Sequence, residues 1–94
     1  MSERTAASLS KLDAFLPRIA ELPASPTRTH LTEDAEALRR AVAAFHMEAI
    51  RFRMHSVDRL IHAAGNPSAV RQAFEDVRQA LEAAGFHTRS HTAP

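Results

Sequence analysis

The sequence predicts an all-α fold: a small three-helix domain with a long central helix in an antiparallel hairpin with a shorter third helix. Three observations lead there. Apolar residues recur at helical spacing in three stretches, the chain is rich in alanine and arginine with only two glycines, and no run alternates as a half-buried strand would. At 94 residues the chain makes a single helical domain, residues 1–94, with one modest core.

The first helix is predicted over residues 8–22. Leu9, Leu12, Phe15, Leu16, Ile19 and Leu22 share a face, and Ser8 is placed to cap the N-terminus. Pro17 removes a hydrogen bond and crowds the preceding turn, which predicts a kink or break near Leu16. Residues 23–30 hold two prolines, small polar residues and no periodicity, so they read as an extended connector.

The central helix is predicted over residues 32–64, where nothing breaks a helix. Thr32 offers a capping hydroxyl, and Glu33, Asp34 and Glu36 place negative charge at the positive end of the helix dipole. Gly65, Asn66 and Pro67 end it: glycine permits a left-handed cap and proline forbids continuation. At about 1.5 Å per residue such a helix runs roughly 50 Å, well past a body whose radius of gyration is near ~13 Å.

The third helix is predicted over residues 67–84, with Asn66 as its cap. Val70, Ala73, Phe74, Val77, Leu81 and Ala84 form its apolar face. Gly85 then caps the helix so that Phe86 folds back on Leu81, and residues 87–94 form a mobile tail with nothing to bury.

A single central helix carries two apolar seams. Leu38, Val42, Phe45, Ala49 and Phe52 form one; Ala43, Met47, Ile50, Met54, Val57, Ile61 and Ala64 form another about 140° around. The short flanking helices do not cover both, so the expectation is a homodimer whose interface includes Leu38, Val42, Phe45, Met47, Ile50, Phe52 and Met54. Between the seams Arg39, His46 and Arg53 recur every seven residues as a polar seam. The arginine stems are expected to snorkel while the guanidinium groups meet Glu or backbone carbonyls at the interface rim; the sharper alternative is an anion-binding or register-fixing site.

The opposite face carries His55, Asp58 and His62, with Glu48 two turns before His55. Two imidazoles and a carboxylate on successive turns suit zinc or another divalent transition metal, with a fourth position left to water or another chain. The plainer reading is a solvated face on which Arg51 and Arg59 repel cations and Asp58 pairs with His62 or an arginine.

Composition narrows the remaining classes. There is no cysteine, hence no disulfide, thiolate metal site or cysteine nucleophile. No signal peptide or membrane-spanning run is present in the sequence, which points to a cytoplasmic protein with no membrane partner. A formal net charge of +1 gives little long-range attraction to phosphate backbones. Nucleic-acid binding therefore rests on local arginines: Arg71 and Arg78 of the third helix and Arg89 of the tail, behind a turn at residues 64–68 that is similar to that of helix-turn-helix proteins. No nucleophile–base pair or phosphate loop is apparent, and the reading leans away from an enzyme; an arginine-lined pocket with Arg39, Arg53 and Glu48 is the one candidate for an anionic metabolite. No resident cofactor is expected. The leading expectation is a non-catalytic interaction protein, a small regulator, adaptor or assembly factor, that binds its own copy and another protein through apolar helix faces.

Overall fold

A computed structural model describes residues 3–86, and these fold as four helices: α1 (Glu3–Ala20), α2 (Pro26–Ala43), α3 (Met47–Ala63) and α4 (Ser68–Ala83). The all-α expectation holds, with no strand among the described residues. The helix count differs. The stretch predicted as one helix over residues 32–64 is two helices that reverse at residues 44–46. The tail, residues 87–94, lies outside the described residues.

Capping and core packing account for the changed helix bounds. α1 starts at Glu3 rather than at Ser8, so Ser8 sits inside the helix, fully buried, instead of capping it. The helix also runs through Pro17 to Ala20. Proline removes a donor there, but Ile19, beyond it, is fully buried, and that packing favours continuing the helix across the lost bond.

α2 starts six residues before Thr32. Ser25 is the N-cap, its Oγ accepting from the Arg28 backbone N–H at 3.0 Å, and Pro26 occupies the first turn where its missing donor costs nothing. The Thr32 hydroxyl, inside the helix, donates instead to the Arg28 carbonyl at 2.9 Å.

The ends of α2, α3 and α4 share one hydrogen-bond pattern. At α2 the N–H of Phe45 donates to the Val42 carbonyl and that of His46 to the Ala41 carbonyl, both at 3.0 Å. Gly65 and Asn66 repeat this on His62 and Ile61, and Gly85 and Phe86 on Glu82 and Leu81. This is the Schellman cap, which requires a left-handed residue at its first outside position. Gly65 (φ 92°) and Gly85 (φ 95°) supply it without a steric penalty; at α2 the residue is Phe45 (φ 61°), for which the left-handed region costs about 1–2 kcal/mol. As the sequence predicts, Phe86 folds back, with its backbone N–H 2.9 Å from the Leu81 carbonyl and its ring buried. Asn66 caps α3 rather than α4, whose N-cap is Pro67.

α1 packs against both α2 and α4, α2 packs against α3, and α3 meets α4 sparingly. Neighbours run antiparallel: Arg4 at one end of α1 reaches Ala84 after α4, and Phe15 meets Phe74 at 5.8 Å between ring centroids. All four helices contribute to one core, with Leu12, Phe15, Leu31, Leu38, Ile50, Met54, Phe74 and Leu81 fully buried. The radius of gyration is 12.4 Å and the body measures 34 × 32 × 19 Å, so no helix projects from it as a 50 Å rod would.

Two substitutions test this core by denaturant unfolding. Phe15→Ala removes a fully buried ring and is expected to destabilise the fold by about 3–5 kcal/mol. Ser8→Ala has the opposite sign: the Ser8 Oγ is buried without a hydrogen-bond partner among the described residues, so its loss is expected to stabilise by about 1 kcal/mol.

Candidate functional site

The reversal at residues 44–46 redistributes the residues that a single long helix would align. Leu38 and Val42 on α2 and Ile50 and Met54 on α3 are fully buried within the chain. These four interface candidates are therefore covered in cis, because the hairpin presses α2 and α3 onto a common core. The other three stay outside: Phe45 is 38% exposed, Met47 37% and Phe52 61%. Phe52 lies two residues from buried Ile50, about 200° around the helix, and so faces away from the core.

The polar seam separates into three structural roles. Arg39 crosses to α1, where its Nε is 2.8 Å from an Asp13 carboxylate oxygen. His46 becomes the N-cap of α3, its Nδ1 accepting from the Ala49 N–H at 3.3 Å. Arg53 reaches back to α2 and donates to Asp34 at 2.5 Å, and the Ser56 hydroxyl donates to the other oxygen of the same carboxylate. Asp34 thus holds two donors of α3, and Arg53 in turn lies 5.2 Å from the centre of the Phe52 ring.

Two of the three metal candidates have other partners. Asp58 accepts from Arg71 at 2.5 Å, the Asn66 amide lies 3.1 Å from the His62 Nδ1, and His55 is exposed on α3. No group of three or more His, Asp or Glu side chains is arranged for a metal ion among the described residues. Glu48 sits in the first turn of α3.

The arginines proposed for nucleic acid are turned toward carboxylates. Arg71 bonds Asp58, Glu75 and the Asn66 side-chain oxygen, and Arg78, only 8% exposed, bonds Glu75 at 3.1 Å while lying over the Phe74 ring. Arg89 lies outside the described residues. A groove of about 670 Å³ between α1 and α4 is lined by small side chains, among them Ala14, Pro17, Ala69 and Ala73, with Arg18 and Asp76 as its charged groups. Arg39 and Arg53, the anion-binding candidates, are both held by aspartates and do not line it.

No known protein-family model, curated protein or solved structure matches this chain. No described helix is long and apolar enough to cross a membrane.

Sequence reading misses Asp13 and Asp34 as the partners of Arg39 and Arg53, because pairs 26 and 19 residues apart leave no local signal. The Ser25–Pro26 helix start does have one, a capping hydroxyl followed by proline at the first helical position.

Two ion pairs give testable consequences. The hydrogen bond from Arg39 lowers the Asp13 carboxyl below its ordinary value, and the Arg39 charge adds to this. A depressed carboxylate stabilises the fold above its unfolded value, near 3.8, and that contribution disappears as pH falls through the folded value. Asp13→Asn is expected to remove this acid-side loss, which unfolding curves between pH 2 and 5 would read. Arg71→Ala unpairs Asp58 across the α3–α4 turn and is expected to destabilise by on the order of 1 kcal/mol, a small effect because both groups are partly solvated; thermal melts check it.

Proposed function

We infer that this protein is a non-catalytic interaction module that binds another protein through the apolar side chains exposed at residues 45–52, acting in the cytoplasm as a regulator, adaptor or assembly factor. The observation that carries this reading is the support given to Phe52. Its ring is 61% exposed, yet Arg53 lies against it and Asp34 holds Arg53. A large aromatic side chain already held in place loses little freedom on binding, which suits it to anchor an interface. Phe45 and Met47, the other large apolar side chains exposed among the described residues, lie in the same segment. Single exposed apolar residues are ordinary, but three within residues 45–52 favour a contact surface in this segment. Arg51 and Arg59, both exposed on α3, favour an apolar partner surface with acidic residues at its rim.

Proximity labelling or crosslinking in the native cell, run on wild type and on Phe52→Ala in parallel, tests this reading. The ring is mostly solvated, so Phe52→Ala should leave the melting temperature within about 2 °C of wild type. Affinity for the recovered partner should fall at least ~10-fold. A partner bound equally by both proteins would overturn the assignment to this face. The arginine-based nucleic-acid alternative draws no support from Arg71 and Arg78, which are already paired; retardation of DNA or RNA that vanishes as salt rises would restore it.

A further inference from the structure

The α2–α3 corner combines two features that do not belong to an ordinary turn. Residues 43–47 contain neither glycine nor proline and by sequence continue a helix, yet the chain reverses there with Phe45 in the left-handed region. The equivalent positions after α3 and α4 are both glycine. The residue that starts α3 is His46, where serine, threonine, aspartate or asparagine would cap more strongly.

Tertiary contacts hold this corner closed. The Phe45 ring packs on Phe86 at 5.2 Å between centroids, and the Arg4 guanidinium lies 5.1 Å from the first ring and 5.4 Å from the second. The Arg4 Nε donates to the Ala84 carbonyl at 2.7 Å, beside Gly85, where a Cβ would come within 2.9 Å of the guanidinium. The start of α1, the corner and the end of α4 thus meet at one place.

The corner also divides the chain into two halves, α1–α2 and α3–α4. The principal contacts between them, α1 on α4 and α2 on α3, join one half to the other. Each of these contacts can form equally well with the complementary half of a second copy, as can Arg4 on Ala84 and Arg53 on Asp34.

We propose that residues 44–46 are a hinge for helix exchange: when the corner opens, α2 and α3 join into one continuous helix, and two copies of the chain each pack α1–α2 against the α3–α4 of the other. The occupant of the opened core is a second copy of this chain, because only that copy presents the complementary faces. The joined helix spans residues 26–63, roughly 57 Å at about 1.5 Å per residue. Opening relieves the left-handed Phe45 and adds helical hydrogen bonds across the hinge. It gives up the Phe45–Phe86 contact and the entropy of two free molecules. A short hinge under strain, with the same core formed in either state, is the condition that favours exchange of this kind. Leu38, Val42, Ile50 and Met54 would then bury themselves between chains. This proposal does not depend on what binds Phe52.

Two substitutions at one position isolate the hinge, since both remove the ring. Phe45→Gly favours the left-handed corner, whereas Phe45→Ala favours the continuous helix, and each dimer contains two hinges. After incubation near ~1 mM, size exclusion with light scattering should show a dimer in Phe45→Ala with a Kd about 100-fold or more below that of Phe45→Gly. His46→Ala, which removes the imidazole cap of α3 and leaves the Phe45 and Phe86 rings in place, should shift in the same direction by a smaller factor. The chain has no cysteine, so Glu33→Cys with Arg59→Cys can be spin-labelled and diluted into excess unlabelled protein. The dimer should give about 39 Å between these positions along one helix, against roughly 10–20 Å across the closed hairpin. A dimer that keeps the short distance, equal Kd values for the alanine and glycine variants, or a monomer in wild type, Phe45→Ala and His46→Ala alike at ~1 mM would each overturn the proposal.

Discussion

The reversal at residues 44–46 is the constraint on which the rest of the structure depends. It places the apolar faces of α2 and α3 against each other, so Leu38, Val42, Ile50 and Met54 enter one core with Phe15 and Phe74. Without it the same residues would lie on two separate seams of a rod, each exposed along part of its length. The driving force is burial: four large side chains fully removed from water offset a left-handed phenylalanine several times over, at about 1.5–3 kcal/mol per side chain. A single copy this short has no second core to use, so within one molecule its longest helical stretch folds back to contribute.

Polar side chains fix how the helices sit once burial has brought them together. Asp13 with Arg39 joins α1 to α2, Asp34 with Arg53 and Ser56 joins α2 to α3, and Asp58 with Arg71 joins α3 to α4. Each pair is partly solvated, so its contribution to stability is small and its contribution to register is the more important one. The same pairs occupy Arg39, Arg53 and Arg71, three of the arginines that the sequence offers to a phosphate or a metabolite. Their donors already have anionic partners, and a new anion would have to displace a carboxylate held within the same molecule.

The residues left outside the core carry the functional reading. Phe52 is excluded because the corner changes the helical phase: it would follow Leu38 and Val42 along a single helix, but on α3 it points away from Ile50. Phe45 is partly exposed for a different reason, since it occupies the cap itself and rests on Phe86 and Arg4. The least relaxed backbone position of the described chain, Phe45, thus lies in the corner, while its most exposed aromatic residue, Phe52, lies on α3.

The sequence by itself determined the all-helical class, the apolar face of α4, the turn at Gly65 to Pro67 and the cap at Gly85 with Phe86 folded back. All of these follow from local chemistry: periodicity, glycine's access to the left-handed region and proline's missing donor. Ser25 and Pro26 carry a local signal of the same kind for the start of α2, although residues 23–30 read as an extended connector. The break after Ala43 was not, because residues 43–47 have no helix-breaking chemistry and Phe45 resists the conformation it adopts. Only the tertiary structure decides it. The free energy that holds the corner comes from partners far away in sequence: Leu38, Val42, Ile50 and Met54 are buried in one core with Phe15 and Phe74, and Phe45 itself meets Phe86 and Arg4 at the two ends of the described chain. Neither periodicity nor local propensity registers contacts made across such distances, so the pairing of Arg39 with Asp13 and of Arg53 with Asp34 became visible only once the helices were packed.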